Sequence, residues 1–343
     1  MRSFIPFSLF IALSFAVANV PRLRADPVSE VASFSLFKAE QVDLPKLSKG
    51  EVIVATGPSM GFARGLKVES LYVLPMAVSK SNELLQRWNG AQHTALKVYQ
   101  HVNLPRKPSL QDFQKLADAP ANSAVRSFVA ATEKLNPDRP GLQMSAAEAK
   151  QFGGSDGGAK GAMPANVSAF WSALLHRRAS AFVEGGLSGQ PAYASGGKPV
   201  RAIDEANELL RERPAVRKQF SALADAMLGG RASSGLFYEM FDVEGRAAVA
   251  LGADCSRSAG EGWQRGILNF YSSDGYYVML TFTQLWPVQL DGKEATLAWR
   301  GDLLSAGRLG ELRGIERAGS AVAMRKEIQK TVTAMVKDLS SRR

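Results

Sequence analysis

Three histidines, one cysteine and a few serines near lysines or glycines are the side chains of this 343-residue chain with the clearest capacity for covalent, acid–base or metal chemistry. His93, His101 and His176 have no second ligand at the i+4 spacing that a helical metal site uses, so they read as surface or partly packed histidines. Ser35-Leu36-Phe37-Lys38 has the Ser-x-x-Lys spacing in which a lysine activates a serine nucleophile. The companion motifs do not fit. Ser273-Asp274-Gly275 falls at a turn, and Lys330-Thr331-Val332 sits in a helical pattern without the glycine. Gly186-Leu187-Ser188-Gly189 lacks the spacing of a nucleophile elbow and has no strand before it. Cys255 is alone and reads as a buried, inert thiol. Asp242, Glu244, Asp254 and Glu261 gather carboxylates in sequence, but paired-carboxylate chemistry needs a fixed separation across a cleft, and turn and edge positions suit them better. No cofactor or metal follows from these patterns.

What remains is a candidate binding surface. Val278, Leu280, Phe282, Gln284 and Trp286 share one side of a long strand pattern, because successive residues of a strand alternate between faces. Trp299 and Arg300 lie on the neighbouring strand across Asp291-Gly292, and Tyr72 lies on an earlier one. Two readings stay open: plain core, or the wall of a cavity in which Gln284 and Arg300 orient a mostly apolar guest. The candidate cavity residues are Tyr72, Phe282, Gln284, Trp286, Trp299 and Arg300. A buried Gln284 needs a hydrogen-bond partner.

These residues must be held by a sheet. Glu51–Thr56 and Leu66–Leu74 read as strands, and Pro75 ends the second because it cannot donate to a ladder. A helix from about Ser79 to Trp88 follows, with Leu84, Leu85 and Trp88 on one face. Residues from about 108 to 229 read as helices, with capping-box signals at Ser109/Asp112 and Ser145/Glu148, caps at Asn122 and Asn166, and Pro214 in a first turn. The glycine-rich stretches 153–161 and 185–197 read as surface loops. From 235 to 303 the chain is an antiparallel meander with turns at Glu244-Gly245, Asp274-Gly275 and Asp291-Gly292, where glycine takes positive φ without steric cost. Ile315, Ala318, Val322, Ile328, Val332, Met335 and Leu339 then recur at helical spacing, forming one long amphipathic helix.

The class is α+β: a curved antiparallel sheet of about seven strands gripping a long C-terminal helix, with a helical insertion. In the order of its elements the chain resembles the START-like (SRPBCC, helix-grip) superfamily. The likeness is carried by Val68–Asn89, a strand, proline turn and helix ending in Trp88-Asn89, and by Tyr276–Leu339, long strands followed by the closing helix. It implies a cavity for a hydrophobic small molecule or lipid between sheet and helix. Members range from carriers to cyclases and hydrolases, so an enzyme testable at Asp254 or Arg265 is the alternative reading, and a basic interaction protein is another.

Arg2, the apolar run from Phe4 to Val17 and the small residues Ala16-Val17-Ala18 predict a cleavable signal peptide over 1–18. The protein is therefore expected in the periplasm or outside the cell, with an extended lead-in over 19–45 and one domain from 46 to 343. One cysteine allows no internal disulfide. Lys and Arg number 42 against 32 acidic residues, a formal net charge of +10. That balance favours anionic envelope surfaces. The basic residues are scattered among helical patterns, so no nucleic-acid partner is expected.

Overall fold

Eight antiparallel strands form one open sheet: β1 (Ile53–Ala55), β2 (Gly65–Leu74), β3 (Val98–Leu104), β4 (Gly235–Val243), β5 (Arg246–Ala259), β6 (Gly262–Ser272), β7 (Val278–Leu290) and β8 (Lys293–Ser305). Their order across the sheet is β1-β2-β8-β7-β6-β5-β4-β3. The computed structural model describes residues 26–154, 163–194, 197–231 and 235–341. The predicted signal peptide and residues 19–25 lie outside them. No helix among the described residues is long and apolar enough to cross a membrane.

The meander turns where the sequence places them. Glu244 (φ 51°) with Gly245 (φ 87°) and Asp291 (φ 49°) with Gly292 (φ 74°) are consecutive positive-φ pairs, the conformation whose twist matches a two-residue hairpin. After Asp254, where a loop is expected, β5 instead runs on to Ala259 and turns tightly at Gly260 (φ 60°). The eighth strand, beyond the seven expected, is β3. It is an edge strand whose Gln100, His101 and Asn103 break any apolar alternation, and its residues are mostly half-buried.

Eleven α-helices surround the sheet among the described residues. Residues 26–45, expected as extended chain, contain α1 (Pro27–Phe34) and the start of α2 (Leu44–Leu47). Asp26 caps α1 by accepting from Ser29 N, and Pro27 supplies the fixed φ of a first turn. α3 (Val78–Arg87) follows β2. The insertion folds as α4 (Ser123–Glu133), α5 (Ala146–Ala149), α6 (Ala165–Gly185), α7 (Ala202–Arg211), α8 (Pro214–Gln219) and α9 (Ser221–Leu228), with a 3-10 segment at Leu110–Asp118. The capping boxes at Ser109/Asp112 and Ser145/Glu148 are formed, and Asn122 accepts from Val125 N. Asn166 lies inside α6 and donates to the Gly154 carbonyl instead of capping. Gly186, expected in a surface loop, is buried, and a Cβ there would stand 2.5 Å from the Leu228 carbonyl oxygen. Short α10 (Gly307–Glu311) leads into α11 (Gly314–Ser341), the predicted terminal helix.

The sheet is covered on both faces. The insertion and α1 pack on one, building the larger core around Phe34, Trp171, Phe220, Phe282 and Trp299. α11 packs on the other against β2 and α3, through Ile328, Val332, Met335, Val336 and Leu339. The predicted apolar stripe is buried only in this second half. Ile315 is 91 % and Val322 52 % exposed. An antiparallel sheet with a closing C-terminal helix in this order is compatible with a helix-grip fold.

Candidate functional site

On the α11 face, residues of alternating parity stack into rows across the strands. Ser256, Arg265, Thr283, Arg300 and Ser70 are successive partners from β5 to β2, and so are Asp254, Ile267, Thr281, Asp302 and Val68 one step along. The next row holds Asn103, Phe237, Gly252, Asn269, Met279, Leu304 and Leu66. A polar band thus runs over the middle of the face, bordered by apolar residues.

Because α11 lies toward β2, the rest of this face is left open beneath it. A cavity of about 770 Å³ fills the space, with the sheet as floor, the end of α3 from Leu85 and the following Trp88 as one wall and Met324–Met335 of α11 as another. Its size falls in the range of small-molecule sites. Phe237, Ile267, Met279, Leu304, Ile328 and Met335 provide apolar lining.

α11 is pinned at both ends beside the cavity. Toward its start, Arg317 Nη2 donates to the carbonyls of Phe62 (3.1 Å) and Gly65 (3.2 Å). At its end Asp338 accepts from Trp88 Nε1 at 3.0 Å and meets His93 Nε2 at 2.6 Å, with the Trp88 and His93 rings stacked.

The charges in the lining are arranged in pairs. Arg300 Nε and Nη2 donate to the two oxygens of Asp302, each at 2.8 Å, and Thr281 Oγ1 donates to the same carboxylate at 2.7 Å. Arg265 binds Asp254 through Nε and Nη2, and its Nη1 caps the Leu85 carbonyl at the end of α3. His101 Nδ1 meets Glu239 at 2.8 Å while its ring stacks on Phe237. Asp242 pairs with Lys97, Arg87 with Glu83, and Glu327 with Lys330 at the rim. Burial works to lower the His101 pKa, but hydrogen bonding and attraction from Glu239 outweigh it, and the net shift is upward.

Among the described lining residues, one buried side-chain polar atom has no partner. Asn269 Nδ2 donates to Tyr276 Oη at 3.1 Å, whereas its Oδ1 is buried with no donor within reach. Burial carries the Tyr276 phenol well above its ordinary range.

Of the six candidate residues, Arg300 alone lines the cavity. Tyr72 shares its face but is packed under α11, fully buried, with burial pushing its phenol up to about 12. Phe282, Trp286 and Trp299 point the other way, into the core beneath the insertion. Trp299 Nε1 donates to buried Glu69 at 3.0 Å, Trp286 Nε1 donates to Glu30 at 2.8 Å, and Phe220 lies tilted against Phe282 with ring centres 5.0 Å apart. Gln284 is buried on that side too, where its Oε1 accepts from Gln264 at 3.0 Å. The aromatic stripe therefore belongs to the filled face, and the cavity uses the opposite parity of the same strands. His101, Glu239, Asn269 and Thr281 were not singled out as cavity residues. The usable signal was polar residues recurring at every second position beside the stripe.

Against models of protein families, curated proteins and solved structures, the chain has no match.

The remaining sequence candidates do not converge. Ser35 Oγ is engaged by the backbone of Phe37, beside an exposed Lys38. The Cys255 thiol is buried, and its pKa is pushed up to about 12 by burial first and by neighbouring Asp254 second. Among the described residues no three His, Cys, Asp or Glu side chains come together in a way that could hold a metal.

Proposed function

We propose that this protein is a START-like binder or carrier of an apolar small molecule or lipid, held between the sheet and α11. The observation that carries the reading is the asymmetry of the two sheet faces: one is filled by interlocking aromatics, the other leaves about 770 Å³ open under a helix fastened at both ends. A core that only stabilised the fold would be expected to close such a space, since unfilled volume costs contact energy. The polar band on the floor supplies the few orienting groups that such a site needs. The signal-like segment at 1–18 supports a role outside the cytoplasm, and the positive net charge supports contact with anionic envelope surfaces.

Native mass spectrometry of the purified protein, followed by organic extraction, tests the binding reading. The expected result is a stoichiometric apolar molecule, or saturable binding of the neutral fluorophore N-phenyl-1-naphthylamine that Met279→Trp abolishes by filling the cavity. An empty protein with no saturable binding overturns the reading.

A further inference from the structure

We infer that the guest of this cavity is an uncharged apolar molecule bearing a hydroxyl group, and that the hydroxyl seats at Asn269. The inference rests on the binding reading above and adds the chemistry of the guest.

The first observation is that each ionised side chain in the described lining already has a partner within the protein, a counter-ion in most cases and the hydrogen-bonded His101 ring for Glu239. The two guanidiniums that reach the floor are both taken: Arg300 grips buried Asp302 in a two-point contact, and Arg265 is shared between Asp254 and a helix-end carbonyl. A carboxylate or phosphate guest would therefore find no free cation among these residues, and an ammonium guest no free carboxylate. At the floor, where Arg265, Asp254, Arg300 and Asp302 are largely buried, either ion would have to lie desolvated without a partner or break an existing pair, and both are costly there. An uncharged guest avoids that cost.

The second observation is independent of charge. Asn269 Oδ1 is a buried acceptor without a donor, on a half-buried side chain whose amide nitrogen donates to Tyr276, and a guest reaches this oxygen by turning the amide toward the cavity. Buried polar atoms in folded proteins are nearly always hydrogen-bonded, and an orphan carbonyl oxygen retains its desolvation cost until a donor arrives. A hydroxyl supplies that donor without bringing charge. A pure hydrocarbon does not.

The surroundings of Asn269 suit the apolar remainder of such a guest. Met279 is its direct partner on β7, and Leu304 continues the row on β8. On the other side the row passes through Gly252, over which the Phe237 ring lies: a Cβ at that glycine would stand 2.1 Å from Phe237 Cζ. The missing side chain lets the ring lie down as a flat apolar platform between Asn269 and the His101 ring stacked on it.

The test uses the full chain loaded with N-phenyl-1-naphthylamine and four competitors of one chain length: decan-1-ol, decanoate, decylammonium and decane. Decanol is expected to displace the probe at concentrations about tenfold below those needed for either ion, equivalent to about 1.4 kcal/mol. Asn269→Leu, which keeps the branched four-atom side chain and removes the acceptor, should lower decanol to the level of decane while the probe still binds. The wild-type ranking needs no variant, so a poorly folded Asn269→Leu leaves the test intact. Decanoate or decylammonium competing as well as decanol would overturn the inference and leave the cavity reading standing. An Asn269→Leu protein that keeps the preference for decanol would remove Asn269 as the seat. A probe that does not bind at all would overturn both.

Discussion

The two faces of the sheet are made from the same strands, one residue out of step, yet they are built on opposite principles. Trp299 and Arg300 are neighbours in sequence. Trp299 is fully buried among Phe34 and Phe220, with its indole N–H bound to Glu69, while Arg300 reaches the floor of a cavity where charge is matched pair by pair. One face stabilises by close packing and tolerates little change. The other keeps space, and pairs the charges of its floor with one another while Asn269 Oδ1 in the lining stays without a donor.

Truncations on the two faces should therefore differ strongly. Trp299→Ala is expected to cost about 3–5 kcal/mol in urea denaturation, because the surrounding aromatics cannot collapse into the void. Met279→Ala, beside an existing cavity, should cost less than about 1 kcal/mol by the same measurement, since a side chain that borders open space has fewer atoms packed around it than one in a filled core. Equal costs would break the contrast.

A second effect sharpens it. Arg300→Leu should cost about 3 kcal/mol, because Asp302, fully buried, is left without its counter-charge. Changing both partners to leucine should recover most of that stability, as replacing a buried pair by apolar groups often does. A double variant as unstable as the single one would show that the pair contributes more than mutual neutralisation.

The smallest expected effect is one of pH. His101 has a folded-state pKa raised above the unfolded value of about 6.5. A raised value means that the folded state holds the proton more tightly, so the pair with Glu239 stabilises fully below the unfolded pKa and loses that contribution as pH rises through the folded pKa. The stability difference between the wild type and His101→Gln should accordingly be larger at pH 5 than at pH 9, with the neighbouring Arg265 opposing protonation throughout. A difference independent of pH would remove the His101–Glu239 pair from the account.

Much of the frame could be read from the sequence, and the reason is local. Asp291-Gly292 and Glu244-Gly245 specify their turns through backbone sterics that act over two residues, and the caps at Ser109, Asn122 and Ser145 act over three. The terminal helix announced itself by spacing. What the residues could not reveal locally was which side of the sheet each covering element would occupy. Phe282 and Trp286 look the same in sequence whether they face a ligand or Phe220, and the insertion that supplies Phe220 joins the chain between β3 and β4, far from β7. The α1 helix was missed for a related reason. Its burial depends on Val31 and Phe34 meeting the same distant core, and eight residues are too few for a strong period of their own. On the cavity floor Arg300 and Asp302 are two residues apart on one strand, but Thr281 meets Asp302, and Asp254 meets Arg265, across strands, joined by nothing in the linear order except the register of the sheet.

That register also sets an order of assembly. Strands β4 to β8 are joined by short connections, so each pairing closes only a small loop, whereas β2 must find β8 from the other end of the chain and β3 must find β4 across the whole insertion. Loop-closure entropy rises with the length enclosed, and pairings remote in sequence form slowly. The walls of the cavity come from these late arrivals: α3 follows β2, β3 forms the far edge, and α11 needs β2 in place before its apolar half has anything to cover. The floor is thus expected to form before the walls that close over it.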